Sequence, residues 1–103
     1  MPLNVLERMT GIKERRFWSG DTQPSDVATE VAEKVIQKSG LSKSDIGAII
    51  STSITKDFIE PSIASIVHGN LKLAPECINF DVGSACLGFL NGMQVAASMI
   101  EAG

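Results

Sequence analysis

A chain of 103 residues that is 44% apolar and 20% charged has the make-up of one globular domain with enough apolar side chains to build a core. Its formal net charge of −3 excludes a surface made to neutralise phosphates, since nucleic-acid binding needs clustered Lys and Arg and the one basic cluster, Lys13, Arg15 and Arg16, is short. No apolar run reaches the roughly eighteen residues that cross a membrane, and the N-terminus lacks a basic-then-apolar secretory signal, so a cytoplasmic protein without membrane or nucleic-acid partners is expected.

Residues 1–24 mix apolar and charged positions without a sustained period and are punctuated by Gly11, Gly20, Asp21 and Pro24, which reads as connecting structure. From Ser25 to Gly40, Val27, Ala28, Val31, Ala32, Val35 and Ile36 recur at helical spacing opposite Glu30, Glu33, Lys34 and Lys38, predicting a surface helix with one buried stripe. Ser25 is its expected N-cap, Asp26 suits the first turn, and Gly40 is placed for a left-handed C-terminal cap. The uninterrupted apolar run from Ile46 to Thr52 predicts a strand covered on both faces. Pro61 suits the first position of a second helix in which Ile63, Ile66, Val67 and Leu71 share a face. Cys77 to Val82 reads as another strand, followed by a helix from about Ser84 to Glu101.

Strand, helix, strand, helix in succession predicts an α/β architecture with a mostly parallel sheet. The last helix has almost no polar face, with Asn91 and Gln94 its only strongly polar residues before Glu101. A helix apolar all round must be enclosed, and two strands and two helices can hardly enclose it, so the chain is expected to be part of something larger or to be completed by a partner.

Cys86 falls near the start of a helix that directly follows a buried strand, close to unpaired backbone N–H groups and the positive end of the helix dipole, a placement that favours thiolate. Gly83, Ser84, Ala85 and Gly88 are small enough to let another backbone or a thioester approach, as a nucleophile-bearing turn requires. The competing reading is core packing, the commonest fate of a free cysteine. Eight residues lie between Cys77 and Cys86 and no His, Cys or Asp cluster surrounds them, which argues against a redox or metal site, and both thiols are expected reduced.

The run Asp81-Val82-Gly83-Ser84-Ala85-Cys86-Leu87-Gly88-Phe89 resembles the active-site signature of ketoacyl-synthase III enzymes and their thiolase-superfamily relatives. Thr10-Gly11-Ile12-Lys13-Glu14-Arg15-Arg16 is similar to that family's Thr-Gly-Ile-basic-Glu-Arg stretch, and Pro61-Ser62 precedes a helix as it does there. The resemblance implies a thiolase-like layered α/β/α architecture, with residues 1–103 the N-terminal portion of a condensing-enzyme domain, incomplete at both ends, holding a partial first half and a buried nucleophile helix. It implies acyl transfer and a Claisen condensation through acyl-Cys86 in fatty-acid or related lipid biosynthesis, with part of the oxyanion hole made by the Cys86 N–H. Acyl-CoA and acyl-carrier-protein thioesters are the implied substrates, with no covalently bound cofactor and no metal, and a homodimer and an acyl carrier protein are the implied partners. The dimer would pair the strand ending at Val82, whose edge otherwise invites association.

The family's catalytic His and its Asn or second His lie far downstream of the cysteine, whereas the only histidine here, His68, is upstream and reads as a helix-surface or interface residue. The isolated chain is therefore expected to be inactive. Where fatty-acid-initiating members carry an aromatic residue before the Pro-Ser pair, this sequence has Glu60. That resembles the branch joining two fatty acyl thioesters head to head, in which the carboxylate serves as base, and enclosure by Phe58, Ile59 and Pro61 would make it a better proton acceptor. The alternative is an acid at a helix N-terminus doing no chemistry. The aromatic and arginine positions that stack on the coenzyme adenine in initiating enzymes fall on Val5 and Met9, so coenzyme A as donor rests on the resemblance alone. A non-catalytic thiolase-fold subunit is the rival from another class.

Overall fold

A computed structural model describes residues 4–103. Strands β1 (Ala48–Ser51) and β2 (Ile78–Asp81) pair in parallel, with Ala48 opposite Ile78 and Ser51 opposite Asp81. Parallel neighbours cannot be joined by a tight turn, and the crossover is made by helix α3 (Ile63–Leu71), which packs on both strands. Four-residue spacing puts Ile63, Val67 and Leu71 on one side of α3, where they are buried with Leu73 and Cys77 of the connection into β2. Ala28, Ala32 and Ile36 of helix α2 (Pro24–Ser39) close this core from one side, and Ile46 and Ile49 from another. Removing a side chain such as Leu71 from water contributes about 2–3 kcal/mol, so this small cluster holds the unit together.

The expected α2 stripe divides in two. Ala28, Ala32 and Ile36 face the core, but Val31 and Val35 are exposed and line a shallow hollow with Phe17 and Trp18. The helix cap also lies two residues earlier than the sequence suggests, at Gln23 instead of Ser25. Pro24 occupies the first turn, the Asp26 carboxylate accepts from the Gln23 N–H at 3.1 Å, and Ser25 is a buried helix residue instead of the cap. Gly40 does end the helix in the left-handed conformation, with φ +75°.

Three further boundaries differ from expectation for local reasons. Val5–Thr10 forms a short helix, α1, within the stretch read as connecting structure; it buries no residue, so no apolar period marks it. Pro61 precedes the N-cap of α3 instead of opening the helix, because the Ser62 hydroxyl takes the capping role and accepts from the Ser65 N–H at 3.1 Å. After β2 the chain makes a 3₁₀ turn, Ala85–Leu87, before helix α4 (Gly88–Ala102) begins.

The helix expected to be buried and to carry the nucleophile, α4, is not buried within these residues, and Cys86 lies in the turn before it. Only Gly88 and Gly92 of α4 are covered, while Phe89, Leu90, Met93 and Ile100 stand open. The cause is the size of the sheet, since two short strands offer α4 a single contact line. The same shortage leaves β1 only half-buried where cover on both faces was expected.

Candidate active site

Cys86 sits where β2 hands over to α4. The Val82 N–H adds one rung beyond β2 by donating to the Ser51 carbonyl at 2.7 Å, so the chain leaves the sheet in a fixed direction. Ala85 then adopts φ +47°, a left-handed conformation that costs an L-residue roughly 1–2 kcal/mol and clusters at functional turns. The Leu87 N–H donates to the Ser84 carbonyl at 2.9 Å, and the Asn91 side-chain amide donates to the Ser84 hydroxyl at 2.6 Å. These two bonds tie the turn to itself and to α4. Cys86 at their centre is exposed and free, and among the described residues no backbone carbonyl accepts from its N–H. An exposed sulfur beside an unused donor is the arrangement that acyl transfer to a thiol requires.

The turn is located by glycine. A Cβ at Gly88 would lie 2.7 Å from the Thr52 carbonyl oxygen, and one at Gly92 would lie 2.5 Å from Thr52 Cγ2. Absence of side chains at these two positions therefore lets α4 rest directly on the end of β1, which sets the height of Cys86 above the sheet. Gly88 was legible in the sequence as a close-approach residue. Gly92 lies one helical turn on, and its four-residue spacing from Gly88 is the signal in the sequence that places both on one face.

Glu60 stands on the loop between β1 and α3, just before a cis bond to Pro61. It is exposed, as are Phe58, Ile59 and Pro61, so those neighbours do not enclose the carboxylate; enclosure, if the residue is to act as a base, must come from other parts of the protein. The loop itself is anchored at two points. The Asp57 carboxylate accepts from the Ser25 N–H at 2.9 Å and from the Ser25 hydroxyl, and Asp81 accepts from Ile63 N–H at 3.0 Å and Ala64 N–H at 2.9 Å. Asp81 opens the signature run of the sequence, but the anchoring role of either carboxylate is not legible there, because their partners lie far away along the chain.

His68 is half-buried on α3 and its Nε2 lies 3.1 Å from the Ala74 carbonyl, a bond that closes the turn leading to β2. Cys77 is buried, and desolvation pushes its thiol above the ordinary value of 9.0. A hollow of about 680 Å³ between α4 and the sheet is lined by apolar groups including Ile50, Phe89, Met93 and Ile100; Cys86 and Glu60 line neither this hollow nor the one beside Trp18. Among the described residues no group of three His, Cys, Asp or Glu side chains could hold a metal ion, and no helix is long and apolar enough to cross a membrane.

Comparison with solved structures gives the class. Xanthomonas campestris OleA with cerulenin bound superposes with a TM-score of 0.89 over 99% of this chain at 46% identity, and OleA variants with a glutamate or a histidine replaced superpose comparably. The fold is thus thiolase-like α/β, with Cys86 at its strand-to-helix turn. No protein-family model matches the chain. Among curated relatives, an acyl-CoA:acyl-CoA alkyltransferase of Xanthomonas campestris is 47% identical over 97% of this chain. A beta-ketoacyl-(acyl-carrier-protein) synthase III of Fusobacterium nucleatum is 43% identical over 95% of it. Over nearly its whole length the chain is similar to ketoacyl-synthase III and OleA enzymes, and it spans about 30% of the length of the relatives it matches.

Proposed function

We propose that this chain is the nucleophile-bearing portion of a larger acyltransferase that joins two acyl thioesters through an acyl-Cys86 intermediate. The observation that carries the reading is the exposed Cys86 sulfur on the strained Ala85 turn, with its own N–H unused. The Cys86 thiolate attacks the carbonyl carbon of a first acyl thioester, and the developing oxyanion accepts from the Cys86 N–H, a donor of the kind worth about 3 kcal/mol. The attack forms the C–S bond to the enzyme, and collapse of the tetrahedral intermediate breaks the C–S bond to the donor and expels its thiolate, leaving acyl-Cys86. A base then takes the α-proton of a second thioester. The carbanion attacks the acyl carbon on Cys86, the C–C bond forms, the C–S bond breaks, and a β-ketoacyl thioester leaves with the Cys86 thiolate restored.

Glu60 is the base in this reading. Its place before Pro61-Ser62 and the 47% identity to an acyl-CoA:acyl-CoA alkyltransferase favour two acyl-CoA substrates. The 43% identity to a synthase III supports a second form, in which an acyl-carrier-protein thioester carrying a second carboxylate loses carbon dioxide in place of the proton and Glu60 has no such task. In either form the remaining catalytic side chains and the cover over α4 come from outside these residues. A homodimer pairing β2 across its open edge fits the single neighbour that strand has among the described residues, and a free exposed thiol fits a cytoplasmic setting.

The test is intact-mass analysis of the full-length protein after incubation with a long-chain acyl-CoA. One acyl adduct mapping to Cys86, missing in Cys86→Ala, is the expected result. Glu60→Gln should keep the adduct and lose the β-ketoacyl product. An unlabelled Cys86 ends the reading, whereas a labelled Cys86 that condenses only when a carboxylated acyl-carrier-protein thioester is supplied, undiminished in Glu60→Gln, moves it to the decarboxylating form.

A further inference from the structure

Asp81 touches both ends of the loop that presents Glu60 and lies on the strand that delivers Cys86. Its carboxylate accepts from Ile63 N–H at 3.0 Å through Oδ2 and from Ala64 N–H at 2.9 Å through Oδ1, so both oxygens are engaged by the first turn of α3. On the other side Lys56 Nζ lies 3.8 Å from Oδ2, a loose ion pair. Lys56 stands four positions before Glu60 and Ile63 three positions after it. Asp81 is therefore the meeting point of residues that bracket Glu60 in sequence, and the Asp81 side chain is only 10% exposed, well shielded from competing water. Five residues further along the same backbone comes Cys86, with the intervening Val82 locked to Ser51 by a 2.7 Å bond.

We propose that Asp81 is a positioning residue that holds the Glu60 loop in the place from which Glu60 acts. This rests on the function proposed above, in which acylation uses Cys86 while the following condensation also needs Glu60. A carboxylate gripping both flanks of the Glu60 loop governs the second half-reaction and leaves the first nearly untouched. Asparagine at this position keeps the shape but offers only one acceptor oxygen for two amide donors, and it drops the charge that draws in Lys56. The α3 cap is retained in part through Ser62.

The experiment measures two rates in the full-length protein: single-turnover acylation of Cys86 by an acyl thioester, read by mass, and steady-state condensation. In Asp81→Asn, acylation should stay within about twofold of the parent while kcat for condensation falls about tenfold or more, the range that a misplaced catalytic group produces. Lys56→Gln, which removes only the more exposed grip, should show the same split with a smaller loss. Parallel loss of both rates would mark Asp81 as merely structural and overturn the proposal, and so would unchanged condensation in a folded Asp81→Asn. Should Asp81→Asn not fold, Lys56→Gln decides alone, and wild-type condensation in it overturns the proposal. Absence of acyl-Cys86 in the parent protein would instead sink the function on which this role rests.

Discussion

Replacing Gly92 by alanine tests whether α4 is held at its height by contact with a single side chain. The new Cβ would lie 2.5 Å from Thr52 Cγ2, against an ordinary carbon–carbon separation of about 3.5–4.0 Å, so about 1 Å must be found. Thr52 is β-branched and stiff at χ1, so the helix has to move instead, and overpacking of this kind costs about 1–3 kcal/mol. Alanine in a helix interior returns about 1 kcal/mol over glycine, which leaves a net loss of about 1 kcal/mol. Thr52→Ser removes the offending methyl, and the next atoms, Ile50 Cγ2 and the Cβ at position 52, stand at an ordinary 3.9 Å. In that background Gly92→Ala should therefore stabilise, by about 1 kcal/mol, and the coupling between the two sites should be about 2 kcal/mol. Urea unfolding of the parent, both single variants and the double variant reads it directly. Gly88→Ala is the control, because the atom 2.7 Å from its new Cβ is the backbone oxygen of Thr52, which no substitution removes, and it should destabilise in both backgrounds. If Gly92→Ala changes stability equally in the two backgrounds, to within about 0.5 kcal/mol, the contact does not set the position of α4.

Burial disfavours the ionised form of Cys77 in the folded chain, so its contribution to stability is fully present below the ordinary thiol value of 9.0 and is lost as pH rises through the higher, folded-state value. Urea midpoints measured on either side of that range should fall more for the parent than for Cys77→Ala, and equal falls would refute the assignment. His68→Ala should cost about 1 kcal/mol through the lost bond to Ala74, yet leave the rate of Cys86 acylation where it was. A loss of acylation in a stably folded His68→Ala would give the histidine a chemical role that its place on α3 does not suggest.

Much of the chain was legible because its signals are local. Gly40 ends α2 where a residue without Cβ is needed, Ile63, Val67 and Leu71 repeat at the helical period, and a cysteine follows a strand among small residues; each depends on neighbours within one or two turns. The α/β class follows from the order of such elements. Other features required the chain to be folded. The Asp81 caps on Ile63 and Ala64, the Asp57 grip on Ser25 and the rest of α4 on Thr52 join residues far apart in sequence, and nothing periodic announces them. Exposure at Glu60 and along α4 was likewise decided in three dimensions. Apolar pattern states what a helix must bury, but how much is buried depends on the area its neighbours present, and a sheet of two four-residue strands presents little.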